Sequence, residues 1–261
     1  MPGAIIYRGP SEIDGKPIVA IAVWSSKNSK TGDMLQTYIL RSDIDPREAN
    51  KYGEDYSICG NCGHRGKPTL DPDKVLAEDR SCYVNMGQGV LIVYRSFLAG
   101  KYPDHTTHTK RMDTGKGRKV RIGTYGDGAA APRYVWDGLL HWAEGHTAYS
   151  HNGGDPRLYM ISADSLQHAQ QAWASKYRTF RVIRDVSELQ RNEILCPASK
   201  EAGYKATCQS CLLCGGTSVQ AKSIAIPAHG SGAVHFLDVE TDRAAHVALV
   251  EHWQRHGGMT V

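Results

Sequence analysis

No stretch of this 261-residue sequence approaches the roughly 20 consecutive apolar residues that a membrane-spanning helix needs; the longest near-continuous run is "PIVAIAVW". The N-terminus, "MPGAIIYRGP", lacks the charged start and apolar core of a secretory leader. These two absences predict a soluble, cytoplasmic protein without membrane contact. Internal repeats and low-complexity tracts are also missing, and so is the phosphate-cradling pattern GxxxxGK[ST]. "GTYGDG" does not match GxGxxG, so neither common nucleotide fingerprint is present. Charge of one sign is scarce: 31 Lys and Arg face 27 Asp and Glu, for a net +4. The one concentrated basic stretch is "HTKRMDTGKGRKVR", which carries Lys110, Arg111, Lys116, Arg118, Lys119 and Arg121. Residues 108–121 are thus a candidate for weak nucleic-acid contact, against the plainer reading of a solvated loop.

Cysteine, by contrast, is grouped. Cys59 and Cys62 form one CxxC, with Cys82 further on, and "CPASKEAGYKATCQSCLLCGG" holds Cys196 followed by Cys208, Cys211 and Cys214 at every third position. In a reducing cytosol such spacing points to metal or redox chemistry rather than to disulfides, and an odd total of seven argues against full pairing. Three closely spaced thiolates plus a remote fourth suit the separated iron corners of a cubane, whereas tetrahedral zinc is usually held by two separate CxxC hooks. The downstream four therefore favour an iron-sulfur (4Fe-4S) cluster. Zinc is the alternative, because "CGNCG" and "CLLCG" both have the form of a zinc knuckle, so Cys59, Cys62, Cys211 and Cys214 could make one ribbon-like site. If the downstream four are complete in themselves, the upstream trio would leave one iron open to substrate, unless His64 closes the shell.

Along the chain, "AIIYR", "KPIVAIAVW" and "LQTYILR" read as strands around an Asp14-Gly15 turn, which predicts an N-terminal β-hairpin or small sheet over residues 1–50. "PDKVLAEDR" reads as a short helix, and "GVLIVYRSFLAG" as a helix with Val90, Tyr94, Phe97 and Leu98 on one face and Gly100 as its stop. From residue 120 the pattern alternates: "VRIGTY", helix "RYVWDGLLHWAEG", "TAYSHN", "RLYMISAD", helix "SLQHAQQAWASKY", "TFRVI", "EILCPAS" and "KSIAIPAH". Such alternation predicts an α/β fold with a mostly parallel sheet, closed as a partial or full βα barrel over a cysteine-rich domain of residues 51–261. Small polar segments follow strand after strand, "GTYGDG", "SHNGG", "SADS", "CPAS" and "AHGSG", and predict one shared site at the C-terminal strand ends. Within it Asp164 or Ser165 is expected to cap a helix, and the twelve histidines show no convergent spacing.

The pattern "SICGNCGHRG... CYVN... VRIGTYGD... TFRV... CPASKEAG... C..C..C" resembles the phage-borne family called gene product 88 over residues 55–230. That likeness implies a bacteriophage or mobile-element origin and transfers no reaction. More distantly, residues 120–173 resemble the order of elements in radical S-adenosylmethionine enzymes. There "GTYGDG" stands in place of a Gly-Glu-Pro turn, "SHNG" in place of an Asn-Gly strand end, and "MISADS" in place of a serine strand. Asp127 and Gly128 stand where that family has glutamate and proline, and the third upstream cysteine comes only at position 82. The resemblance implies that Cys59, Cys62 and Cys82 hold a cluster that binds S-adenosylmethionine, that Gly126, Asp127, Asn152 and Ser162 contact this cofactor, and that the downstream cysteines hold an auxiliary cluster. The rival expectation is a zinc-stabilised protein that binds nucleic acid or a host protein and has no catalytic activity.

Overall fold

The computed structural model describes residues 2–24, 29–217 and 219–236, so the last part of the expected 51–261 domain lies outside the described residues. Strands β1 (Gly3–Pro10), β2 (Pro17–Val23) and β3 (Leu35–Arg41) pair antiparallel in sequence order, and Gly15 takes a left-handed φ of 79° in the first turn. Every residue of β3 and all but the first of β2 are buried, as expected of strands covered on both faces. Short helices α1 (Pro46–Lys51) and α2 (Tyr56–Cys59) follow, then α3 (Leu91–Leu98) and α4 (His108–Gly115). Strand β4 (Lys119–Tyr125) pairs parallel with β3, so the first 50 residues and the cysteine-rich region share one mixed sheet.

After helix α5 (Arg133–Leu140) the chain runs through β5 (Gly145–Thr147) and, one residue later, β6 (Tyr149–Ser150). Strand β5 closes the first sheet beside β4, while β6 opens a second, wholly parallel sheet. That second sheet contains β7 (Met160–Ala163), β8 (Thr179–Ile183), β9 (Glu193–Leu195) and β10 (Ser223–Pro227) in the order β6-β7-β8-β10-β9. Helix α6 (Leu166–Ala174) connects β7 to β8, and α7 (Cys208–Cys211) precedes β10. The molecule is thus mixed α/β, with two five-stranded sheets that meet along residues 145–150.

The apolar stripes account for the packing. On α5, Val135, Trp136 and Leu139 are fully buried, and the Trp136 indole donates to the Gly128 carbonyl at 2.9 Å. They belong to a core that runs from Ile5 to Tyr159, while Met160, Cys196, Ala198, Ile224 and Ile226 form a smaller one under the second sheet. Ser165, not Asp164, caps α6, accepting from the His168 backbone at 3.0 Å.

Two expectations about helices are corrected. Residues 72–80 form turns rather than a helix, because Asp79 takes a positive φ of 52° and the segment is needed to bring the chain back, Lys67 bridging to Glu78. On α3, Leu98 is 63% exposed, so the buried face is carried by Leu91, Val93 and Tyr94 with Val90 just before them. Among the described residues no helix is long and apolar enough to cross a membrane.

Candidate functional site

A cavity of about 580 Å³ opens at the junction of the two sheets, and all seven cysteines line it. The upstream three arrive from two directions. Cys59 ends α2 and Cys62 opens a single helical turn, Gly63–Arg65. Backbone bonds between Lys67 and Glu78, 2.7 and 2.8 Å, then fold the intervening loop back so that the Cys82 amide donates to the His64 carbonyl at 3.0 Å. Beneath this loop Arg65 is buried against Asp55, and its guanidinium also donates to the Gly60 carbonyl. Downstream, the Cys196 amide leaves β9 bonded to the Ala225 carbonyl, and the Cys208 amide is bonded to the Lys30 carbonyl. Cys208 and Cys211 bracket α7, whose start is fixed by reciprocal Thr207 and Ser210 bonds. Leu212, in a left-handed conformation, turns the chain so that the Cys214 carbonyl accepts from Ala148 at 2.9 Å.

The thiols influence one another in two sets. Burial raises Cys59 and Cys82, and the neighbouring charges that add to this include Cys62 and Asp55. Burial likewise raises Cys196, Cys211 and Cys214, each of which feels other members of the downstream four. Bare thiolates are disfavoured in both places, the condition under which a bound cation stabilises them most. All seven cysteines are free of disulfides.

The expected cofactor contacts are distributed unevenly. Gly126, Asp127 and Ser162 line the cavity. Gly126 has φ 78°, and a Cβ there would lie 2.8 Å from Ile39, so its role is close packing against β3. Asp127 joins three segments: its amide donates to the Ile58 carbonyl, and its carboxylate accepts from the Ala129 amide, the His151 amide and the Asn152 side chain. Asn152 also donates to the Cys59 carbonyl and accepts from the Asn61 amide, so it clamps the upstream cysteine loop. The Ser162 hydroxyl is buried with no hydrogen-bond partner among the described residues.

Sequence spacing gave no sign of the group formed by His64, His151 and Asp164, whose candidate ligand atoms all lie within 4.8 Å of one another. His151 Nε2 is 2.8 Å from Asp164, and Ser81 orients His64 through its Nδ1 at 2.9 Å. Burial pushes His64 down to about 4. The same burial acts on His151 but is overcome by the Asp164 carboxylate and the Cys62 thiol, which hold it well above the ordinary histidine value. Asp164, expected as a helix cap, is therefore a buried ion-pair partner. The only foreshadowing was that His64, "SHNGG" and "SADS" each fall at a cysteine loop or strand end.

The basic stretch is divided by the fold. Arg111 is buried, donating to the Ile6 carbonyl and lying over Tyr134, and Lys116 lies over Trp142. Arg121 points inward, where its guanidinium donates to the hydroxyls of Tyr83 and Tyr149 at 2.7 and 2.8 Å and stands 4.0 Å from Cys208 Sγ. Tyr83 follows Cys82, so this network spans the space between the two thiol sets. Phe180 stacks on Tyr149 with ring centroids 4.3 Å apart, and His229 on Tyr83 at 5.3 Å. No family model, curated protein or solved structure matches this chain.

Proposed function

We propose that this chain is a phage-type iron-sulfur enzyme of the radical S-adenosylmethionine kind, its two sheets serving as a partial βα barrel. Cys59, Cys62 and Cys82 would hold a cluster with one open iron, and Cys196, Cys208, Cys211 and Cys214 a fully ligated one. The observation that carries this reading is that all seven cysteines line one cavity, the upstream three and the downstream four each influencing the members of their own set. The donor set fits: all are free thiols, held on short helices and the loops beside them, in surroundings where burial makes an uncompensated thiolate costly. When bound, the upstream cluster would supply the electron that cleaves S-adenosylmethionine.

The residues of the chain have separate tasks in this reading. Asn152 and Asp127 fix the Cys59–Cys62 loop against the ends of β4 and β6, which would keep these two thiols in place to hold a cluster. Ser162, with its hydroxyl unpaired, is the one of the four expected contact residues with a buried side-chain group free to bond the cofactor. Gly126 keeps the β4 end tight against β3, and the apolar faces of Tyr149 and Phe180 help exclude water.

Anaerobic purification followed by metal analysis and visible spectroscopy tests the reading. The expected preparation is brown, contains more iron than zinc and bleaches with dithionite. A colourless, folded protein with about one zinc per chain would instead support the zinc-stabilised binding protein.

A further inference from the structure

We propose that the cavity holds its ligand by an oxyanion, a carboxylate or a phosphate, gripped by Arg121 and Thr147 between the two thiol sets. The inference rests on the cavity being the functional site and is independent of which metal the cysteines take. Arg121 on β4 and Thr147 on β5 are register partners on adjacent parallel strands, so their side chains stand side by side on one face. Both line the cavity and both are more than nine-tenths buried, at 9% and 3% exposure.

Each side chain has bonding capacity left over. The Thr147 hydroxyl has no hydrogen-bond partner among the described residues. Arg121 donates to two neutral tyrosine hydroxyls and approaches one sulfur, and among the described residues no carboxylate pairs with it. Two carboxylates of the same lining do have an opposite charge, Asp55 with Arg65 and Asp164 with His151, and a third, Asp127, is satisfied by three N–H donors. A buried guanidinium without a carboxylate is costly unless an anion reaches it. A guanidinium fork beside a hydroxyl supplies several donors directed at one point, which is what carboxylate and phosphate oxygens accept. The stacked pairs Tyr149–Phe180 and Tyr83–His229 flank this point and would cover the less polar remainder of a ligand.

The competing role for Arg121 is a counter-charge to Cys208 alone, so the deciding variant is Thr147→Val, which leaves Arg121 and every cysteine in place. Inorganic phosphate and malonate, each titrated at millimolar concentrations into the full-length, anaerobically isolated protein, would be followed by calorimetry, with thermal melts and metal content measured on the same samples. Wild-type protein is expected to bind at least one of the two. Thr147→Val is expected to bind it about tenfold more weakly while melting no lower than wild type, since a buried hydroxyl without a partner contributes nothing to the free fold. Arg121→Gln should abolish binding. Preference for phosphate would mark a phosphorylated ligand, and preference for malonate a carboxylate. The inference is overturned if neither anion binds wild type, or if Thr147→Val binds as wild type does. Zinc in place of iron would remove the radical-enzyme reading and leave this one standing.

Discussion

The side-chain amide of Asn152 donates to the main-chain carbonyl of Cys59 at 3.0 Å, across 93 residues of sequence. The same amide group reaches Asp127, and the Asn152 carbonyl oxygen accepts from the Asn61 backbone. Replacing Asn152 by alanine removes all three bonds, two of them partly buried and one exposed, so a loss of about 1–2 kcal/mol is expected in denaturant melts. The variant should also retain less metal on the upstream cysteines than on the downstream ones, which metal analysis checks. Gly60→Ala should act in the same direction, because its Cβ would collide with the Asn152 side-chain oxygen.

The two thiol sets should be separable. Changing Cys208, Cys211 and Cys214 together to alanine is expected to remove part of the iron while preserving a shift in the paramagnetic resonance of the reduced protein when S-adenosylmethionine is added. Changing Cys59, Cys62 and Cys82 should abolish that shift, because an iron with four protein or sulfide partners has no vacancy. A shift that survives loss of the upstream trio would mean that the open iron belongs to the downstream set.

Arg181 and Glu193 tie β8 to β9 through a buried, two-pronged ion pair, with bonds of 2.8 and 2.7 Å. Arg181→Met alone leaves a buried carboxylate and is expected to cost about 3–5 kcal/mol. Adding Glu193→Met should recover much of that loss, since the charge then has no partner to miss. Chemical denaturation of the two single variants and the double variant provides the cycle. A loss in the double variant equal to the sum of the two single losses would deny the coupling.

His146 gives a pH dependence of known sign. Burial holds its pKa below the ordinary histidine value of 6.5, although its Nε2–H donates to the Leu158 carbonyl at 2.9 Å. The unfolded chain therefore takes up this proton at a higher pH than the folded one. Its contribution to stability is complete above about 6.5 and declines as pH falls from there toward the lower folded value. His146→Gln keeps a donor for Leu158 and removes the titration. The melting temperature of wild type relative to this variant should be highest near pH 7.5 and should narrow toward about pH 5.

Much of the local structure was legible because it depends on neighbours in sequence. The stripe Val135, Trp136, Leu139 declares the buried face of α5, Ser165 caps α6, and the continuous apolar run of β2 declares a strand covered on both sides. Strand and helix alternation likewise gave a parallel arrangement over the second half of the chain.

By itself the sequence determined which residues could serve as metal ligands, since the spacing of Cys59 with Cys62 and of Cys208, Cys211 and Cys214 is a property of a few adjacent residues. Only the tertiary structure decided what stands beside them. Cys82 joins the upstream pair because the Lys67–Glu78 bridge closes a loop that composition suggested was a helix. Arg121 belongs to a basic stretch in sequence but faces inward, because strand alternation and the β3, β4, β5 register turn it toward Thr147 and the cavity. His64, His151 and Asp164 converge from three separate segments, a short helical turn and two strand ends. Periodicity encodes which face of an element is buried, whereas convergence of distant side chains depends on strand order, register and loop closure, which no local pattern records.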